Sequence, residues 1–362
     1  MPGKKKTPFV HPVTGALIPT ELTGVITPMF TPIDEEGVID LKGLQVYAEY
    51  LAANEAVSAL FFRSGVGGIF TFREEEIGPA VEVVAEVAKD HQKPFLIGCA
   101  GTWPGWPEQP LSPDLFIEES IRFGLEAMEQ GAFAAVYPFP YGLLDPEKGG
   151  ADSHDVYLYY FDQVASQMPG RMVLYHLPYL EPRQWVAPET LSQILERHEN
   201  IVGMKVSHGD VVHHSELLMV TEDTNFAYIC GNEQIYLPLL LLGACGVIGE
   251  GCNSIPEVFD AISRDFMARE FEDAREAQFV AIEAIRLGQA VCRGFSEHSL
   301  AEPALVEQME VFTPDSIGLG YLAQKGIHAF GPNLRSGGIW PSKKALHELV
   351  REFDQLRAAF LS

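Results

Sequence analysis

Positive charge is scarce in this sequence. Its 362 residues carry 25 Lys and Arg against 50 Asp and Glu, a formal charge of −25. A surface of that sign repels a phosphate backbone, which excludes nucleic acid as a partner. An anionic substrate would need positive charge supplied locally. Cysteine is also sparse: Cys99, Cys230, Cys245, Cys252 and Cys292 are an odd number without C-x-x-C spacing, mostly inside apolar segments. That usage suits small core residues of a reduced, cytoplasmic protein rather than a disulfide framework. Long apolar runs are missing, the longest (around Leu237 to Leu242) being the size of a core helix, so no membrane span is expected. The basic start, Met1 to Thr7, is not followed by the apolar core of a signal peptide. Internal repeats, low-complexity tracts and a Pro- or Gly-rich linker are absent as well.

What is present is a large apolar fraction, 47% hydrophobic residues against 21% charged, enough for one barrel-sized core. Short β-branched runs alternate with longer segments of helical periodicity, as parallel βα units do. The strand candidates are Gly24 to Thr27, Ala59 to Phe62, Phe95 to Cys99, Ala134 to Tyr137, Met172 to Tyr175, Val202 to Lys205, Phe226 to Cys230 and Gly246 to Ile248. Helical segments between them include Leu41 to Ala53, Glu74 to Lys89, Leu115 to Gln130, Asp155 to Met168, Pro188 to Arg197 and Gln234 to Leu242. Eight units without reversal predict an α/β fold, a (β/α)8 TIM barrel over 22–264, preceded by an N-terminal extension (1–21) and followed by a C-terminal helical extension (265–362).

Lysine is rarest where it matters most. Between Gly149 and Gln324 there is one, Lys205, closing the sixth strand candidate after Ile201-Val202-Gly203-Met204. Desolvation favours the neutral form of a lysine, and a neutral amine is a nucleophile toward ketones, so a Schiff-base enzyme would place its lysine here. A strand-end lysine can equally snorkel its charge to solvent. In a barrel, catalytic groups sit at the carboxyl ends of strands. Lys205, Tyr175 after the fifth strand, Tyr141 after the fourth, Ser64 to Gly68 after the second and Glu250 to Asn253 after the eighth should therefore share one mouth. Tyr175 precedes Lys205 by thirty residues, one βαβ unit, which puts them on adjacent strands. A phenol there can shuttle protons for an imine. The turn Ser64-Gly65-Val66-Gly67-Gly68 can converge backbone N–H groups on a carboxylate, but it lacks both the G-x-G-x-x-G spacing and the Lys-Ser/Thr of nucleotide loops.

Ile201 to Lys205, Tyr175-x-x-Pro178, Pro140-Tyr141, Thr23 to Pro28, and Gly246-Val247-Ile248 with Asn253 stand in an order that resembles the dihydrodipicolinate synthase / N-acetylneuraminate lyase family of class I aldolases. The resemblance implies a (β/α)8 barrel, a homotetramer, and no cofactor beyond the covalent imine. Lys205 would condense with pyruvate or another 2-keto acid, partnered by an aldehyde or sugar acid, to make or break a C–C bond or eliminate water. Tyr175 would be the acid/base, with Tyr141 a possible relay. Ser64, Gly65, Val66 and Gly67, together with Ile248, would bind the substrate.

Departures from the family pattern argue against dihydrodipicolinate synthesis itself. Gly65 and Val66 replace two hydroxyl residues, Gly68 replaces a glutamate, Gly142 a second tyrosine, and Leu180 an arginine. Arg63 and Arg183 are expected to supply the missing carboxylate contacts, although Arg63 could instead pair with Glu74 or Glu75. The insert Trp103-Pro104-Gly105-Trp106-Pro107 suits either a cover over an apolar substrate or a subunit interface. His176, His208, His213, His214 and Asp210 motivate a metal-dependent barrel enzyme, but they lack the i, i+4 spacing of a helix-borne pair, so no metal is expected. The altered turn also leaves room for a non-catalytic keto-acid-binding homologue.

Overall fold

Strand-forming runs of Val, Ile, Ala and Phe, buried on both faces, build the centre of the molecule. The computed structural model describes residues 8–104, 106, 111–148, 150–178, 180–222, 224–294, 314–327, 331, 334 and 340–361, without the side chains of 289–294, 314–316 and 361. A small antiparallel hairpin, β1 (Phe9–Val10) and β2 (Leu17–Ile18), comes first. Next come β3 (Gly24–Pro28), β4 (Ala59–Phe62), β5 (Phe95–Gly98), β6 (Ala134–Pro138), β7 (Met172–His176), β8 (Ile201–Val206), β9 (Ala227–Cys230) and β10 (Gly246–Val247). They close into a parallel barrel in the order β10-β3-β4-β5-β6-β7-β8-β9, the expected (β/α)8 architecture. Each expected strand coincides with an observed one to within a residue or two.

The barrel helices are α1 (Leu41–Ala53), α2 (Glu74–Asp90), α3 (Pro113–Glu129), α4 (Ser153–Ala165), α5 (Pro188–Arg197), α6 (Val211–Thr221), α7 (Tyr236–Leu242) and α8 (Pro256–Ala268). Proline at the first helical turn starts α3, α5 and α8, where its missing N–H costs nothing. Sequence periodicity does not announce α6, because it exposes Val212 and Met219 while burying Leu217 and Leu218, leaving no clean polar face. Its start is fixed by Asp210, whose carboxylate accepts the Val212 and His213 N–H groups at 2.9 and 3.1 Å.

The expected boundary at 264/265 falls inside α8, so the C-terminal region begins with α9 (Phe271–Gly294), followed by α10 (Pro314–Gln324) and α11 (Lys343–Leu361). These helices return to the barrel mouth. A Cβ on Gly318 of α10 would lie 2.1 Å from Phe30, which follows β3. The N-terminal hairpin is pinned by His11, whose Nε2 hydrogen-bonds the Ala244 carbonyl at 3.0 Å. Met1 to Thr7 lie outside the described residues. Cys99, Cys230, Cys245 and Cys252 are buried and free, and the side chain of Cys292 lies outside the described set. Among the described residues no helix is long and apolar enough to cross a membrane.

Candidate active site

Strand pairing sets Tyr175 directly opposite Lys205 in the register of β7 and β8. Both therefore point the same way, into the barrel, at its carboxyl end. Lys205 is only 3% exposed, with Nζ 4.3 Å from the Tyr175 ring centroid and 6.0 Å from that of Phe61. Among the described residues its amine has no ion-pair or hydrogen-bond partner. The amine therefore lies against ring faces. That leaves its lone pair free to react once the proton is lost.

The turn after β4 meets the phenol. A Cβ on Gly65 would sit 2.4 Å from Tyr175 Oη, so only glycine allows this approach. Ser64 is buried, its Oγ donating to the Met29 carbonyl at 3.0 Å and accepting the Gly67 N–H at 3.1 Å. The Gly68 N–H goes to Gly65 and the Ile69 N–H to Ser64, while Thr31 caps the Gly67 carbonyl at 2.7 Å. Two N–H groups of the turn, those of Gly65 and Val66, are not engaged by these bonds. The bonds to Met29 and Gly67 let the Ser64 hydroxyl hold the turn in shape. Ile248, just after β10, is buried, its N–H on the Cys230 carbonyl at 2.8 Å.

Three of the expected residues are placed by the structure away from Lys205 or against other partners. Strand alternation turns Phe61 inward to Tyr175 and Phe62 outward to Phe72, so Arg63 should face inward. Its φ of 51° breaks the alternation and sends the guanidinium outward, between Phe72 and Phe123, with Nη1 on the Gly98 carbonyl at 2.9 Å. Burial pulls its pKa down to about 10, and Nε and Nη2 find no hydrogen-bond partner. Arg63 contacts neither the amine nor Glu74, which pairs with Arg122 at 2.9 Å. Arg183 is exposed and pairs with Glu181 at 2.7 Å, whereas Leu180 is buried. Tyr179 lies outside the described residues. Tyr141 is drawn into an aromatic cluster: its hydroxyl accepts the Trp106 Nε1–H at 2.6 Å, and its ring packs 5.1 Å from Trp103 and 6.2 Å from Phe70. Gly105 and Pro107 of that insert lie outside the described residues.

The histidines do gather, but as a hydrogen-bonded chain behind the site. The Val186 carbonyl can only accept, so His213 carries its proton on Nε2 (2.9 Å) and accepts at Nδ1 from His208 Nε2–H (2.9 Å). His208 Nδ1 then accepts the Asp210 N–H at 3.2 Å. His214 donates from Nε2 to the His208 carbonyl and accepts at Nδ1 from the Tyr228 hydroxyl. Trp185 stacks on His208 with ring centroids 4.1 Å apart. Each of these rings is neutral in this pattern. Burial, with the neighbouring imidazoles, holds His208 down at about 3 and His176 well below the usual histidine range. Their nitrogens are taken up by protein partners except His176 Nε2, and among the described residues no group of three or more His, Cys, Asp or Glu is arranged for a metal ion.

Sequence reasoning missed one group altogether. Glu233, in the turn after β9, is 7% exposed, and its Oε1 accepts the Gly251 N–H at 2.6 Å. Burial raises both its pKa and that of Glu250 in the next loop, and in Glu250 the neighbouring Glu233 carboxylate adds to the rise. The only signal in the sequence is an acidic residue just past a strand end, a placement shared by many solvated glutamates.

Residues 21–287 match the Dihydrodipicolinate synthetase family. The chain belongs to that family. Among curated relatives, the 4-hydroxy-tetrahydrodipicolinate synthase of Natronomonas pharaonis is 28% identical over 257 residues, 71% of this chain and 79% of that one. The probable 2-dehydro-3-deoxy-D-pentonate aldolase YjhH of Escherichia coli is 26% identical over 246 residues, 67% of this chain and 74% of its own. Among solved structures, the sialic acid aldolase of Ruminococcus gnavus superposes with a TM-score of 0.75 at 16% identity, covering 94% of this chain and 99% of that one. N-acetylneuraminate lyase from Mycoplasma synoviae gives 0.70 at 17% identity, covering 94% and 99%. The structural likenesses are of fold, and the family is one of lyases and aldolases. A Cβ on Gly142, next to Tyr141, would lie 2.4 Å from Trp103, which fills that space.

Proposed function

We propose that this protein is a lyase of the class I aldolase type, in which Lys205 forms an imine with pyruvate or another 2-keto acid. The observation that carries the reading is the buried, unpaired amine of Lys205 over the Tyr175 ring, with the phenol touching Gly65. The substrate carboxylate would take the N–H groups of Gly65 and Val66, which sets its keto carbon toward Nζ. Amine attack and loss of water give an iminium that withdraws electrons from the neighbouring carbon. Tyr175 would move the proton at the substrate hydroxyl as the C–C bond forms or breaks, or as water leaves.

Dihydrodipicolinate synthesis is not the reaction proposed, since Gly68 and Gly142 remove two relay groups and Arg183 is paired at the surface. A homotetramer is proposed from family membership. Turnover of a panel of 2-keto acids with aldehydes, and of 2-keto-3-deoxy sugar acids, tests the reading. Lys205→Arg should abolish all turnover, because a guanidinium cannot form the imine. Residual turnover near wild type would overturn it. A non-catalytic binding protein would show no turnover in either form and would keep keto-acid affinity in Lys205→Ala.

A further inference from the structure

Packing alone does not call for an arginine at position 63. Arg63 follows β4 directly and is fully buried, with one hydrogen bond from Nη1 to the Gly98 carbonyl at 2.9 Å and with Nε and Nη2 unpartnered. A methionine would fill the same space without desolvating a charge or orphaning two donors. The backbone is costly as well. Its φ of 51° lies in the left-handed region, where glycine is at ease and a Cβ is strained.

Both features meet at Gly98, the last residue of β5. A Cβ on Gly98 would lie 2.0 Å from the Arg63 carbonyl oxygen, so the neighbouring strand admits this backbone only because it ends in glycine. The Gly98 carbonyl in turn takes the guanidinium. The same group lies against Phe72, with Cζ 5.5 Å from the ring centroid, and against Phe123 of α3 at 4.8 Å. Phe72 closes the loop that Arg63 opens. One side chain therefore ties both ends of residues 63–72 to β5 and α3 on the outside of the barrel. Two residues on from Arg63 stands Gly65, against the Tyr175 hydroxyl. Rotating φ of Arg63 back to the extended region would swing everything that follows, so the Gly65 and Val66 N–H groups keep their direction only while the left-handed conformation lasts.

We propose that Arg63 is a positioning residue for keto-acid binding: its guanidinium, anchored on Gly98, Phe72 and Phe123, holds the strained backbone that aims the Gly65 and Val66 N–H groups at the substrate carboxylate. The inference rests on the imine reading of Lys205 and on the carboxylate contact proposed above. Arg63 acts through the turn, not on the substrate. A hydrogen bond from a charged donor, together with two ring faces, outweighs the strain of one left-handed residue, which in an ordinary side chain favours the relaxed backbone about tenfold. Where the competent turn is only fractionally populated, apparent affinity falls by that fraction.

The test is the pyruvate concentration that gives half the maximal initial rate of borohydride trapping at Lys205, read by intact mass, beside a thermal melt of each protein. Wild type should trap; no adduct with pyruvate or with larger 2-keto acids overturns the imine reading and this inference together. With wild type trapping, Arg63→Met keeps the strain and loses the anchor, so the half-saturating concentration should rise about tenfold. Arg63→Gly loses anchor and strain together, and since glycine takes either sign of φ about equally, the rise should be about twofold. The melts should rank the other way, because methionine fills space that glycine leaves empty. A role in packing alone predicts instead that affinity follows the melts. Arg63→Met binding as wild type does, or Arg63→Gly binding no better than Arg63→Met, overturns the inference and leaves the imine reading intact. Should either variant fail to fold, Arg63→Asn against Arg63→Leu repeats the comparison, since the two are similar in size and asparagine is the more at ease at positive φ. Tighter binding in Arg63→Asn is expected, and equal affinity in that pair overturns the inference.

Discussion

The histidine chain behind the site makes stability depend on acid in a way one substitution can isolate. His176 is fully buried, its Nδ1 donates to the Leu177 carbonyl and its Nε2 has no partner, and burial with His208 and His213 nearby holds it well below the usual range. The folded state therefore keeps this imidazole neutral where the unfolded chain binds a proton. With the folded value lowered, the contribution is intact above about pH 6.5 and declines as pH falls below it, by about 1.4 kcal/mol per pH unit for each imidazole kept neutral. Between about pH 7.5 and pH 5 the wild type should lose about 2 kcal/mol through His176 alone. His176→Phe cannot titrate, so the difference in unfolding free energy between the two proteins should shift by that amount over the same interval. Urea denaturation at each pH measures it, and comparing the two proteins cancels the opposite slope from Glu233 and Glu250, whose raised values favour the folded state at lower pH. A difference independent of pH would refute a neutral, buried His176.

Gly65→Ala should leave the barrel folded and lower activity about 100-fold, to the level of Tyr175→Phe, because the added Cβ displaces the phenol 2.4 Å away. Steady-state turnover beside a thermal melt checks it. Gly249→Ala should force the Glu233 carboxyl out of its cradle and lower stability, which urea denaturation checks. Asp210→Ala removes the cap of α6 and should cost about 1 kcal/mol in urea denaturation.

The fold was legible because βα alternation is a local pattern, and the adjacency of Lys205 and Tyr175 was legible because parallel pairing fixes which strand ends are neighbours. Arg63 was not, since a single left-handed residue reversed the side its chain faces. Tyr141 was expected as a possible relay, and its bond from Trp106, on another loop, could not be read from the sequence. Glu233 has meaning only through Gly249 and Gly251, which reach it from the neighbouring strand end. The histidines were noted as a group that motivates a metal site, and their chain of tautomers appears only when Val186 and Tyr228 are placed beside them.

Intact mass after incubation with pyruvate and borohydride, followed by peptide mapping, tests the central claim most directly. The account predicts one reduced pyruvyl adduct per chain, mapped to Lys205 and lost in Lys205→Ala. Full modification at another lysine, or no adduct with pyruvate or any of a panel of larger 2-keto acids, would contradict it.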